Sequence, residues 1–400
     1  MINKRLLIAG FFSAMAAWLL ATFVSAQASA ARPLHPLRAN SAQASVPGWI
    51  QVNEDGFGAV TNRRMSAMET FNGMLYTGTS NMTNGAELWR STDGFTWGAV
   101  ITGGLVYTSL FRIEDLVEFS GHLYASTVAD QTDGPRPPEV WRSSDGLDWT
   151  RIITDGFGDT ASFSISEMTV FSNSLYAGTC SDAGAAIWRT ADGLGWQPDS
   201  ANGFGVGSEI QCIKAFTVFS DALYAGTSNL TTGAEIWRSD GLTWTAVMTG
   251  GFGTLDNDHI PSLATFDNAL YALTRNFTTG SEIWRTADGL MWTLVITGGL
   301  TTPDNFGGGG LVVYEDRLYF ITGNEVSGSE VWRTADGATW EQVGFGGWGD
   351  PLNIGPNSDN SIVIFNNQLF VGTVKPSAVA SGGEVWLYLP KAVYLPLVQR

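Results

Sequence analysis

Basic residues are in short supply: the 400-residue chain carries 21 Lys and Arg against 38 Asp and Glu, a formal net charge of -17. A nucleic-acid reader needs a basic face to release counterions from phosphate, so nucleic acid is not an expected partner. Cysteine is scarcer still. Cys180 and Cys212 are the only two, enough for one bridge but not for a disulfide scaffold, so the core itself must hold the fold. The three histidines, His35, His122 and His259, lack metal-ligand spacing. Long apolar runs are confined to the start, where Lys4 and Arg5 precede Leu6 to Val24 and then the small residues Ala26, Ala28 and Ala30. Residues 1–30 therefore read as an export signal or, if uncleaved, as a membrane anchor. Residues 31–47, rich in Ala, Ser and Pro, read as a linker, and the expected location is secreted or cell-surface.

Glycine and aromatics are plentiful, with 48 Gly, 16 Trp and 22 Phe, and they recur in register. A stretch typified by LYAGTSNLTTGAEIWRSDGLTWTAVMTGGFG begins at Leu75, Leu123, Leu175, Leu223, Leu270, Leu318 and Leu369, at intervals of 48, 52, 48, 47, 48 and 51 residues. A period near 50 with strand-like content and Gly-rich punctuation is the mark of a propeller, whose units cannot bury their faces alone. Each unit reads as four strands: one ending in Phe or Tyr, then LYAGT, EIWRT and TWTLVIT. The last copy stops after GGEVWLYLP, and its missing fourth strand matches GWIQVNEDGFG at Gly48 to Gly58. The tryptophans count the same way. Fourteen of the 16 form seven pairs only if Trp49 joins Trp386. The expectation is an all-β, seven-bladed β-propeller over residues 48–387, closed by the N-terminal strand, with residues 388–400 as a Pro-containing apolar tail; a monomer is expected.

Between the third and fourth strands stands [ST]-x-D-G-x-x-W, as in Ser91 to Trp97, Ser143 to Trp149, Thr190 to Trp196, Thr286 to Trp292 and Thr334 to Trp340, with a shorter form at Ser239 to Trp244. The pattern resembles the Asp-box of sialidase-like, bacterial-neuraminidase-repeat propellers. In such a box the Asp accepts from the N–H groups of its own turn and Gly takes the positive φ. The resemblance covers six of seven units and implies fold more than activity, because that box is structural and lies away from the site.

In that architecture the loops joining strand two to three and strand four to the next strand one share a face. Counting back from the Phe or Tyr that closes strand one, the residue seven back is Arg64, Arg112, Ser164, Cys212, His259, Gly307 or Ser358, and the residue five back is Ser66, Glu114, Ser166, Lys214, Pro261, Gly309 or Asn360. Framework positions repeat while these diverge. Arg64, Arg112, Glu114, Lys214, Asp258 and His259 are therefore candidates to converge on a glycan or protein ligand, with arginines pairing a carboxylate. A bland solvated rim would look similar. A sialidase needs three arginines, a Tyr nucleophile with a Glu partner, and an acid; only Arg64 and Arg112 lie on the inner strand, and Tyr107 and Tyr314 are poor nucleophiles. No catalytic residue is assigned, and a glycoside hydrolase is the alternative to a non-catalytic binder. Asp256-Asn257-Asp258 and Asp304-Asn305 supply oxygens that suit Ca2+, but the terminal Glu of a calcium loop is missing and such pairs serve turns, so no cofactor is expected. Cell-surface attachment through either terminus is the remaining expectation.

Overall fold

Alternating β-branched and aromatic residues separated by Gly-containing turns produce an all-β chain of antiparallel sheets. The computed structural model describes residues 45–105, 107–129, 136–356 and 358–390. The expected export signal, most of the linker with His35, and residues 391–400 of the tail lie outside them.

Seven first strands, Arg64–Phe71, Leu110–Phe119, Ser162–Phe171, Cys212–Phe219, His259–Phe266, Gly310–Tyr314 and Ile362–Phe365, each open an antiparallel unit. Their turns to strand two hold two residues at positive φ, as at Asp267 (46°) and Asn268 (55°), the twist a tight hairpin requires. In the seventh unit the fourth strand is Trp49–Gln51, with Trp49 opposite Tyr388 and Gln51 opposite Trp386. Ordered pairing extends past the expected 48–387 span at both ends. Ser45–Val46 folds back on Trp49 and Ile50, and Tyr388 belongs to the sheet rather than to a tail. The reason is packing: the Tyr388 ring lies 4.7 Å from Trp49, and Arg333 Nη1 donates to its hydroxyl at 2.9 Å.

Each first strand lies beside the next one along the chain, and Ile362–Phe365 lies beside Arg64–Phe71. The approach is close. At Gly178, in the second strand of unit three, a Cβ would stand 2.5 Å from Cβ of Ile213 in unit four. Aromatic stacks bind the flanks. The Phe leaving one unit at positive φ lies flat on the E-x-W tryptophan of the next, as Phe204 on Trp237 (4.2 Å) and Phe252 on Trp284 (4.3 Å). Phe57, which follows the Trp49 strand, stacks in the same way on Trp89 of unit one at 4.5 Å. Each of those two Trp indoles is held from below: Glu235 accepts from Trp237 Nε1 and Glu282 from Trp284 Nε1, both at 2.8 Å. Asn257 Nδ2 donates to Glu282 and Asn305 Nδ2 to Glu330, which commits two of the residues first considered for Ca2+ to buried turn contacts. The bridge between Cys180 and Cys212 joins strand two of unit three to strand one of unit four.

The D-G turns work as their residue types demand. Asp192 Oδ1 accepts from the N–H groups of Leu194 and Gly195, both at 2.8 Å, and Thr190 Oγ1 accepts from Gly193 N–H at 2.9 Å. Gly193 also seals the seam between units. It sits at φ +74° with its missing Cβ only 1.8 Å from the Tyr124 hydroxyl of unit two. Gly73, at φ +71°, has nothing within 4 Å. Gly73→Ala is therefore expected to cost about 1 kcal/mol of left-handed backbone strain. Gly193→Ala is expected to lose roughly 1–3 kcal/mol more through overpacking, readable as a larger drop in urea midpoint. Equal losses would remove this seam from the account.

Candidate functional site

The first strands do not run straight. Pairing slips between Met65 and Ala67, between Ile113 and Asp115, between Ile165 and Glu167, and between Ile213 and Ala215. Each slip is a β-bulge, which leaves one residue unpaired and turns its side chain out of the sheet. The four residues so released are Ser66, Glu114, Ser166 and Lys214, the positions five back from the closing aromatic. They divide by chemistry. Ser66 Oγ donates to Ile113 O and Ser166 Oγ to Ile213 O, both at 2.6 Å, tying each unit to the next. Glu114 and Lys214 instead deliver charge to a shared cavity of about 240 Å³.

Arg64, Glu114, Lys214 and His259 line that cavity together with Arg275 and the aromatic pair Phe277 and Phe306. Arg112 and Asp258 do not line it; they stand behind residues that do. Arg112 Nε lies 2.7 Å from Glu114 Oε2. Asp258 accepts from Arg275 Nε and Nη2, both at 2.9 Å, and lies 3.0 Å from His259 Nδ1. Asn360 reaches across from unit seven, its Nδ2 donating to Glu114 O at 3.3 Å and Ser166 O at 3.4 Å. On the wall, Phe277 and Phe306 stack at 4.5 Å, with the Arg275 guanidinium 5.1 Å over the Phe277 ring. Sequence reading missed Arg275, although the repeats mark it. At the end of strand two the equivalent residues are Ser80, Val128, Cys180, Ser228, Arg275, Gly323 and Val374, and one long cation stands out.

Two cations are left without a partner. Among the described residues, neither Arg64 nor Lys214 forms an ion pair or a side-chain hydrogen bond. Burial lowers the pKa of Lys214, and Arg112 and Arg275 add to the effect against the pull of Glu114. Burial and then Arg112 likewise lower that of Arg64, whose guanidinium nonetheless stays charged at neutral pH. Unpaired charge in a desolvated cavity is unfavourable until an anion arrives.

One constellation resembles a nucleophilic triad. Ser228 Oγ lies 3.1 Å from His259 Nε2, and His259 Nδ1 lies 3.0 Å from Asp258. Yet the same Oγ is 3.4 Å from Nδ1, so it sits nearly equidistant from both ring nitrogens rather than along a lone pair. Burial, with Arg275 and Lys214, takes His259 down to about 4, too weak a base for the role. Tyr314 also stands apart from the cavity, donating to Asn367 O at 3.0 Å, and Tyr107 lies under the Arg136 guanidinium at 4.4 Å. The W-R arginines are framework, with Arg142 over Tyr124 and Arg285 over Tyr271 at 5.8 Å.

No family model matches the chain, and no curated protein matches it. Solved structures do. A chain of the mitotic checkpoint complex is 10% identical, with 88% of this chain and 98% of that one covered at a TM-score of 0.53. A chain from a structural analysis of two prolyl endopeptidases is 13% identical over 70% of this chain, with a TM-score of 0.47. Trypanosoma rangeli sialidase bound to 2,3-difluorosialic acid is 12% identical over 82% of this chain, with a TM-score of 0.43. The chain spans 42% of that endopeptidase chain and 54% of the sialidase. At these identities the likeness is one of fold. The strand pairing itself defines the class: an all-β protein of repeated antiparallel sheets.

The cavity predicts an acid response with a definite sign. The unfolded chain protonates His259 near 6.5 and the folded protein only at about 4, so the unfolded state binds more protons between those values. Stability is therefore lost as pH falls through that window. Asp258, held at about 2 by His259 and Arg275 against the cost of burial, adds a loss below 3.8. Glu69, pushed up to about 7 by burial, acts in the opposite sense, losing stability as pH rises through the window from 4.5 to about 7. The informative quantity is the difference between wild type and His259→Gln: urea midpoints at pH 7, 5.5 and 4.5 are expected to fall less in the variant. Parallel curves would contradict the buried neutral imidazole.

Proposed function

We propose that the seven units close into a seven-bladed β-propeller of Asp-box kinship that is exported and binds the anionic part of a glycan or protein ligand at its loop-rich mouth, without catalysis. The single observation that carries the binding reading is the pair Arg64 and Lys214, two cations without partners facing one cavity. Support for closure comes from the contact of the first strand of unit seven with that of unit one and from the Trp49 pairing. Support for the kinship comes from Asp turns capped alike at Asp93, Asp145, Asp192, Asp288 and Asp336. The disulfide favours an oxidising compartment. Attachment at the cell surface through the terminal segments belongs to the same proposal.

A glycoside hydrolase is the second reading, and Arg275 favours it by bringing a third arginine beside Arg64 and Arg112. Against it, Arg112 is committed to Glu114 and Arg275 to Asp258, and neither Tyr107 nor Tyr314 reaches the cavity. The test has two arms. Calorimetric titration with glucuronate and N-acetylneuraminate is expected to give salt-sensitive binding that weakens by about 10- to 100-fold in Lys214→Met, the loss of one charged hydrogen bond. A fluorogenic glycoside panel is expected to show no turnover; turnover abolished by Arg112→Ala and Glu114→Ala would establish the hydrolase instead.

A further inference from the structure

The loops around the cavity carry a second feature that the anion site leaves unused. Val206, Leu230, Leu255, Phe277, Val326 and Leu352 are all exposed, from 38% for Leu352 to 69% for Val326. They stand on successive loops of one rim. Main-chain hydrogen bonds knit those loops together in order: Gln211 N–H to Ser228 O, Asn229 to Asp258, Asp258 to Arg275, Asn276 to Phe306, Phe306 to Gly323, and Asn324 to Ile354. The result is an apolar arc over units four to seven, lying on the same face as the mouth that Phe277 and Phe306 line. The Asp turns carry exposed apolar residues as well, Leu194, Leu242 and Met291 among them, but the six here share their face with a charged cavity, the placement of a contact surface.

We infer that the ligand is a polypeptide, which places one Asp or Glu side chain between Arg64 and Lys214 and lays flanking aliphatic or aromatic residues on the arc. This rests on the anion-site reading above and narrows it. Charge decides against an acidic polysaccharide: the chain carries a net -17, and a repeating polyanion would be repelled from everything but the cavity. A neutral or basic polypeptide offering a single carboxylate meets attraction at both places. Size points the same way. A cavity of about 240 Å³ accepts one acidic residue or one acidic sugar, so any larger ligand must extend over the rim, where sugar hydroxyls would leave leucine and valine uncovered and apolar side chains would bury them.

The probe is a phage-displayed library of disulfide-closed heptapeptides selected on the folded protein. Enriched peptides are expected to hold an Asp or Glu flanked by Leu, Ile, Phe or Trp, and a synthetic one is expected to bind at least tenfold more weakly to Lys214→Met and to the double variant Leu230→Ser, Leu255→Ser. Those two leucines are exposed, so unchanged circular dichroism and urea midpoint will show that the double variant is folded. No enrichment over an unrelated protein overturns the inference, as does peptide binding indifferent to the double variant. If glucuronate binding still depends on Lys214 in either case, the polypeptide alone is refuted and the anion site stands; if Lys214→Met alters neither probe, both fall.

Discussion

Every sheet here is apolar on both faces, and that constraint governs the rest. Tyr124, Leu175, Leu223 and Tyr271 are buried along with their equivalents, so a unit standing alone would expose as much apolar surface as it hides. Neighbours must cover each flank, and the unit without a successor must find its cover at the other end of the chain. The Trp49 strand answers that need. It completes the seventh sheet, sends the Trp49 indole N–H to Val343 O at 2.9 Å, and hands Phe57 to Trp89 of unit one.

The same crowding makes the site. Adjacent inner strands approach so closely that strand two carries glycine against the neighbouring isoleucine, and the bulge beside it ejects one residue towards the middle of the array. Where that residue is serine it ties units together. Where it is Glu114 the charge pairs with Arg112, and where it is Lys214 the charge is left for a ligand. Arg112 and Asp258 then act one step removed, steadying Glu114, Arg275 and His259.

Much of this was legible in the sequence, because repeats serve as their own ruler. The unit count, the partner of Trp49 and the cavity residues Arg64, Glu114, Lys214 and His259 all come from asking which positions break a pattern. Arg275 escaped because the ruler was laid along strand one and not strand two. The demotion of Arg112 and Asp258 could not be read, since side-chain direction at a bulge depends on pairing register, which spacing alone does not reveal. Nor could the reach of Asn360 to Glu114 and Ser166, a contact between units far apart in sequence, or the stacking of Phe277 on Phe306 from two different loops.

The N-terminal strand is the point on which the whole arrangement turns, and its pairing can be measured directly. Ile50 and Leu387 are opposite one another on antiparallel strands, a separation that a disulfide spans. Introduced together, Ile50→Cys and Leu387→Cys should oxidise completely to an intramolecular bridge and raise the urea midpoint, with the native Cys180–Cys212 bridge intact. Two free thiols persisting under oxidation, or bridges only between molecules, would show that the Trp49 strand does not complete the last sheet.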